Sequence, residues 1–176
     1  MVAQKKTSRG VIKCKPIVAA LGLFVVLGSC ATVADQRREA LSNSLQPDPK
    51  YTPTEVVRIQ MAAFQYNDGQ DRGIEVAFRF ASPANKRTTG PLPSFTRLFK
   101  TTEYRPMLNH MSVDYDDIVI RGRRARQRII LTGPNNVEAA YVFFLSYQIN
   151  RSCGGCWMTD AVVPERRNPP SLYNLV

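Results

Sequence analysis

The pattern of hydrophobic positions changes its period near residue 104. Before that point apolar side chains recur every three or four residues, as in Val57, Met61 and Phe64, and this spacing predicts helices. Beyond it apolar and polar residues alternate, which predicts strands joined by glycine-containing turns. Helices followed by an antiparallel meander indicate an α+β domain, with the helices packed on one face of a curved sheet.

Local signals set the bounds of the predicted helices. Thr52, Pro53 and Glu55 stand in the order of a capping box, so the first helix should begin at residue 53. A second helix is predicted over residues 71–81 because Pro83 ends it, and a third over residues 92–99, with a loop at residues 85–90. The predicted strands cover residues 107–110, 113–120, 125–131, 137–149 and 157–163.

The first 29 residues have the organisation of a signal peptide. A basic stretch ends at Lys15, an apolar run covers residues 17–27, and two small residues precede Cys30. The apolar run is too short to cross a bilayer, because a spanning helix needs about 20 apolar residues. Residues 27–30, Leu-Gly-Ser-Cys, resemble the bacterial lipobox, which implies diacylglycerol on the Cys30 thiol and cleavage before it. Several acyl chains, palmitate among them, would hold such a protein on a membrane.

This interpretation predicts an exported protein that is anchored to a membrane at the outer face of the cell or on the periplasmic side. The alternatives are an ordinary secretory signal cleaved after Ala31 or Ala34, and a eukaryotic organelle presequence. Residues 30–51 are polar and contain two prolines, so we expect a flexible stalk. Residues 52–164 form the predicted domain, and residues 165–176 form a tail.

The formal net charge of +10 suggests nucleic acid binding at first. Five of those positive charges precede Cys30 with no acid among them, so cleavage leaves +5. On a strand, Arg124, Arg126 and Arg128 would project from one face as a basic surface. Close to a membrane that surface could bind anionic lipid head groups. We favour the alternative, a solvated face whose arginines pair with nearby carboxylates: Asp116, Asp117 and Glu138. No aromatic residues interleave the arginines, so we predict no nucleic acid partner.

Four segments are similar to a family of domains of unknown function, DUF4864. They are residues 52–61 (Thr-Pro-Thr-Glu-Val-Val-Arg-Ile-Gln-Met), 73–85 (Gly-Ile-Glu-Val-Ala-Phe-Arg-Phe-Ala-Ser-Pro-Ala-Asn), 125–128 (Ala-Arg-Gln-Arg) and 156–162 (Cys-Trp-Met-Thr-Asp-Ala-Val). The order of elements resembles the cone-shaped fold of the nuclear transport factor 2-like (NTF2-like) superfamily. That superfamily contains isomerases and dehydratases as well as proteins that only bind or assemble, so the resemblance implies a cavity without a particular reaction.

Aromatic residues are numerous enough to line a cavity between helices and sheet. A polar side chain on the core side would be the place for a ligand contact, because buried polar groups need partners. The predicted pocket residues are Phe64, Phe78, Phe99, Gln127, Tyr141 and Trp157. The only histidine, His110, lies four residues before Asp114, which suits a general acid or base, but polar neighbours favour an exposed imidazole.

Cys153 and Cys156 are separated by two glycines. Such a pair suits a redox centre or half of a zinc site. A zinc site would need two more ligands, and only His110 and Cys14 remain, of which Cys14 lies in the predicted signal peptide. In an exported protein we favour a structural disulfide. We predict no catalytic residue, metal or cofactor.

The leading hypothesis is therefore a membrane-tethered binding or scaffold domain with either a pocket for a small apolar ligand or a sheet-mediated homodimer. The first alternative is a pocket enzyme of isomerase or dehydratase type, which transfers protons on an apolar substrate with His110, Asp114 or Tyr141 as acid or base. The second alternative is thiol redox chemistry at Cys153 and Cys156.

Overall fold

The computed structural model describes residues 44–149 and 153–165. The predicted signal peptide, Cys30, the first part of the stalk and residues 166–176 lie outside the described residues. Four α-helices, one 3-10 helix and five strands are present in the described part, so the α+β prediction is confirmed. They are α1 Pro53–Gln65, α2 Arg72–Arg79, α3 Pro83–Thr89, α4 Leu92–Leu98, the 3-10 helix Arg105–Met107, β1 Ser112–Tyr115, β2 Val119–Arg121, β3 Arg124–Thr132, β4 Glu138–Gln148 and β5 Cys156–Glu165. Among these helices none has the length and apolar character needed to cross a membrane.

The five strands form one antiparallel sheet in the order β1-β3-β4-β5, with β2 also paired to β3. β1 and β2 share the same edge of β3, since Tyr115 is opposite Ile129 and Val119 is opposite Arg126. The single strand predicted over residues 113–120 is therefore interrupted. The interruption contains Asp116 and Asp117, a residue type that is depleted in strands.

Helix α1 begins as its sequence predicts. The Glu55 backbone N–H donates to Thr52 Oγ1 at 3.2 Å, and the Thr52 backbone N–H donates to Glu55 Oε2 at 2.7 Å, which completes the capping box. Val57, Met61 and Phe64 are buried on one face of the helix. Four helices on one side of an open antiparallel sheet are consistent with the expected cone shape.

Two local predictions are wrong. Residues 85–90 were expected to be a loop, but Ser82 caps a further helix, α3, because its Oγ accepts from the Asn85 N–H at 3.2 Å. Residues 107–110 were expected to be a strand, but Pro106 lies in the 3-10 helix and Asn109 has a φ of 52°. A left-handed residue breaks an extended strand, so this segment turns instead.

The hydrophobic core lies between the helices and the inner face of the sheet. Leu45 and Tyr51 pack against it, although both were assigned to the stalk. The Tyr51 ring lies 6.2 Å from the Phe80 ring, and Arg79 Nη1 donates to the Leu45 carbonyl oxygen at 3.3 Å. The folded body therefore begins upstream of residue 52, and the last part of the predicted stalk lies on its surface.

Candidate functional site

The predicted pocket residues meet in the core between the helices and the sheet. Phe64 and Phe99 enter from the helices, with ring centroids 4.6 Å apart, while Gln127 and Tyr141 enter from the sheet. These four side chains are buried. Phe78 and Trp157 are only partly buried and pack against the edge of the same core. An apolar ligand pocket at these six residues stays a prediction.

Tyr141 acts as a structural link. Its hydroxyl donates to the Glu103 carbonyl oxygen at 2.6 Å, and its ring is fully buried. Burial raises the pKa of the phenol well above its ordinary value, so the hydroxyl keeps its proton at neutral pH. The bond ties β4 to the segment that precedes the 3-10 helix.

Gln127 secures the interruption between β1 and β2. Its Nε2 donates to the Asp116 carbonyl oxygen at 2.9 Å, at the point where the chain leaves the edge of β3. Its Oε1 is buried and has no partner among the described residues. The Gln127 Nε2 group therefore has a structural hydrogen bond, whereas the Oε1 atom is an acceptor without a donor among the described residues.

His110 is buried, with 3% of its surface exposed, so the prediction of an exposed imidazole is wrong. Nδ1 lies 2.9 Å from the Met107 carbonyl oxygen, so Nδ1 carries the proton and donates. Nε2 is buried without a partner in the described part of the chain. Asp114 lies on β1 opposite Ile130, and its side chain is exposed. The structure therefore does not bring His110, Asp114 and Tyr141 together as an acid–base group.

The buried imidazole predicts a pH-dependent stability. Burial lowers the pKa of His110 more than its bond to Met107 raises it, so the unfolded chain binds this proton first. The free energy of unfolding should be highest above the unfolded pKa of about 6.5 and should fall as the pH decreases through that value. Urea unfolding at pH 7.5 and pH 5.5 measures the decrease, and H110Q, which removes the only histidine, should reduce it. An unchanged decrease in H110Q would contradict this assignment.

The outer face of the sheet, opposite the helices, carries the predicted basic surface. Paired residues of antiparallel strands share a face, so Arg124, Arg126 and Arg128 have Ser146, Phe144 and Val142 as neighbours on β4. On β5 the next neighbours are Ala161 and Val163. Phe144 is 40% exposed and Val163 is 47% exposed, so a solvent-exposed apolar strip crosses this face.

The charges at the two ends of this outer face differ in sign. Arg128 is neutralised, because Nη1 lies 3.2 Å from Asp116 Oδ2 and Nε lies 2.8 Å from Glu165 Oε2. Arg124 and Arg126, by contrast, are exposed and have no ion pair within the described residues. The acidic residues lie at the other end of this face: Asp114 is opposite Ile130 of β3, and Glu138 is opposite Thr132. The basic surface is thus partly a paired face, as expected, and partly an unpaired basic end.

A network of buried polar groups joins helices α1, α2 and α3 to β5, and sequence reasoning missed it. Thr159 Oγ1 donates to Gln60 Oε1 at 2.6 Å, and Gln60 Nε2 donates to the Ala77 carbonyl oxygen at 3.0 Å. The Thr159 carbonyl oxygen accepts from the Ser82 N–H at 2.8 Å and from Asn85 Nδ2 at 3.1 Å. The network joins three of the four segments that carry the family resemblance: residues 52–61, 73–85 and 156–162. That resemblance was the one signal in the sequence that pointed to these residues.

The comparison with family models decides the classification. The model described as a domain of unknown function (DUF4864) matches residues 48–171, which is more than half of the chain. The chain belongs to this family. Comparison of the DUF4864 chain with curated proteins gave no match. Comparison with solved structures gave none either.

The cysteine pair of the DUF4864 domain forms a disulfide between Cys153 and Cys156 at the start of β5. Gly155, between them, has a φ of 104° and lies directly against Tyr147, because an added Cβ would be 2.6 Å from Tyr147 Oη. The positive φ requires glycine at this position, whereas the Tyr147 side chain could move aside. No cluster of three metal-ligating side chains occurs within residues 44–149 and 153–165. The favoured disulfide is therefore present, and thiol redox chemistry at this pair stays an untested alternative.

Proposed function

We propose that this protein is a membrane-tethered lipoprotein whose DUF4864 domain is a binding or scaffold module that pairs with a second copy through the outer face of its sheet. The observation that supports pairing most directly is the exposed apolar strip at Phe144 and Val163, which begins beside Arg126 at the basic end and points along the strands toward the acidic end.

A two-fold axis suits the charge layout of this face. In an isologous interface each copy presents the same patch, so an antiparallel arrangement lays the basic end of one copy over the acidic end of the other. Arg124 and Arg126 would then face Asp114 and Glu138 of the partner, and the apolar strips would meet at the centre. Charges at the rim set the orientation of such an interface, while an aromatic residue such as Phe144, once buried between the two copies, contributes much of the affinity.

The proposed lipid on Cys30 would favour pairing, because tethering two copies to one membrane raises their effective concentration. An interface that is weak between free proteins is sufficient when both partners are confined together. We therefore expect pairing to depend on the anchor as well as on the outer face.

The experiment uses full-length protein in its membrane with F144C as the reporter. A residue near a two-fold axis lies close to its own copy, so a short bismaleimide should join two F144C chains into a covalent dimer. Y66C is the matched control, because Tyr66 is 59% exposed, ends helix α1 and is not a residue of the outer face of the sheet. The unsubstituted chain accounts for any contribution of the natural cysteines.

C30S on the F144C background tests the anchor. This double variant should leave the membrane fraction after sedimentation, and its yield of covalent dimer should fall at least severalfold because the effective concentration is lost. Equal crosslinking of F144C and Y66C would overturn pairing through the outer face. C30S protein that still sediments with membranes at unchanged size would overturn the lipid anchor.

A further inference from the structure

A surface depression of about 430 Å³ lies at one end of the domain. It is formed where the end of α4 and the 3-10 helix meet the turn between β3 and β4. The lining residues are Phe99, Lys100, Arg105, Leu108, Asn109 and Pro134. None of them belongs to the outer face of the sheet, and Phe99 is the only residue that it shares with the predicted interior pocket.

Backbone contacts fix the walls of this depression. Gly133 lies against the 3-10 helix, because an added Cβ would be 3.2 Å from both Cβ and the carbonyl oxygen of Pro106. This close approach brings Pro134 to the edge of the depression. On the opposite side the Asn109 N–H donates to the Phe64 carbonyl oxygen at 2.9 Å, at the end of helix α1. The depression is therefore formed by the fold before any ligand enters.

The lining combines two kinds of chemistry. Lys100 and Arg105 are exposed cations, and neither has an ion-pair partner among the residues that the structure describes. Leu108 and Pro134 supply apolar surface beside them, while the Phe99 side chain is buried in the core beneath. A guanidinium binds a carboxylate with two parallel hydrogen bonds, and a nearby ammonium adds a third donor. The apolar side chains would be covered by the body of the same ligand.

We infer that this depression binds a small amphipathic carboxylate, with the carboxylate held by Lys100 and Arg105 and its apolar body against Leu108 and Pro134. Its volume lies at the lower end of the roughly 300–1,000 Å³ that ligand sites occupy, which suits a ligand of roughly ten non-hydrogen atoms. The site is separate from the proposed pairing surface and does not depend on it.

The probe is 4-fluorophenylacetate, followed by ¹⁹F NMR line broadening on the full-length protein. Acetate carries the same charge without the apolar body, and 4-fluorophenylacetamide carries the body without the charge. Each should bind at least roughly tenfold more weakly than the probe, because each loses one of the two contributions. Equal binding of acetate or inorganic phosphate would mean a general anion site and would overturn the amphipathic assignment.

Variants locate the binding. The double variant K100Q/R105Q should bind the probe roughly tenfold or more weakly, while R97Q, which lies on α4 and outside the lining, should bind it unchanged. F144C should bind the probe normally, so failure of the pairing proposal would not affect this result. The thermal unfolding midpoint of the double variant K100Q/R105Q should first be shown to be near that of the natural protein. Unchanged binding of the probe by this variant would then overturn the site.

Discussion

G73A is expected to lower the free energy of unfolding by about 3 kcal/mol or more. A Cβ at position 73 would lie 2.1 Å from the Ala63 carbonyl oxygen and 3.0 Å from Asn67 Cα. Both atoms belong to the backbone, so the clash cannot be relieved by rotating a side chain. Helices α1 and α2 would have to separate, and the buried contacts between them would be lost. Since whole domains are stable by only about 5–15 kcal/mol, this loss is a large fraction of the total.

G69A is the matched control, because nothing lies within 4 Å of its added Cβ and the substitution is only four residues away. We expect this variant to change stability by less than about 1 kcal/mol, since it alters mainly the freedom of the unfolded chain. Urea unfolding of the full-length chain, followed by fluorescence of its single tryptophan, measures both variants. Similar losses in G69A and G73A would contradict close backbone packing at Gly73.

The elements that the sequence predicted well are those whose signals are local. The capping box of α1 lies within four consecutive residues, Thr52 to Glu55, and the alternation in β3 correctly places Arg124, Arg126 and Arg128 on the outer face. Helix α3 was missed because Ser82 and Pro83 were interpreted only as the end of α2. The same two residues are also a helix start, with a capping serine and a proline at the first position.

The burial of His110 depends on contacts that the sequence does not show. Its polar neighbours suggested exposure, but residues far away in the chain cover it, and Gln65 Nε2 donates to its carbonyl oxygen at 3.4 Å. The left-handed φ of Asn109 reverses the direction of the segment before β1. A period of alternating residues cannot predict such a turn, because the period describes only regular structure.

The candidate pocket shows a second limit. Periodicity correctly predicted that Phe64, Phe99 and Tyr141 point into the domain, but it contains no information about how completely they fill the interior. Packing depends on the shapes of side chains from several elements at once. The outer face was more predictable, because its residues follow from strand alternation, although their pairing with β5 did not. A register shift between Phe144 and Leu145 changes which β5 residues lie on each face.

T159V is expected to lower the free energy of unfolding by about 2 kcal/mol. Valine has nearly the shape of threonine, so the packing changes little, but Gln60 Oε1 loses its hydrogen-bond donor inside the core. A buried acceptor without a partner costs about 1–3 kcal/mol. T132V is the matched control, because Thr132 lies at the end of β3 and its side chain makes no hydrogen bond to another described residue. We expect T132V to change stability by less than about 0.5 kcal/mol.

A double-mutant cycle separates the hydrogen bond from the packing around it. Q60L alone removes the bond to Thr159 and leaves the Ala77 carbonyl oxygen without the Gln60 amide. The double variant Q60L/T159V lacks both the Thr159 hydroxyl and the Gln60 Oε1 atom. Neither position then keeps a polar atom that has lost its partner at the other. Its loss of stability should therefore be smaller than the sum of the two single losses by about 1 kcal/mol or more. Strictly additive losses in urea unfolding would mean that Gln60 and Thr159 stabilise the corner between the helices and β5 independently, and not as a bonded pair.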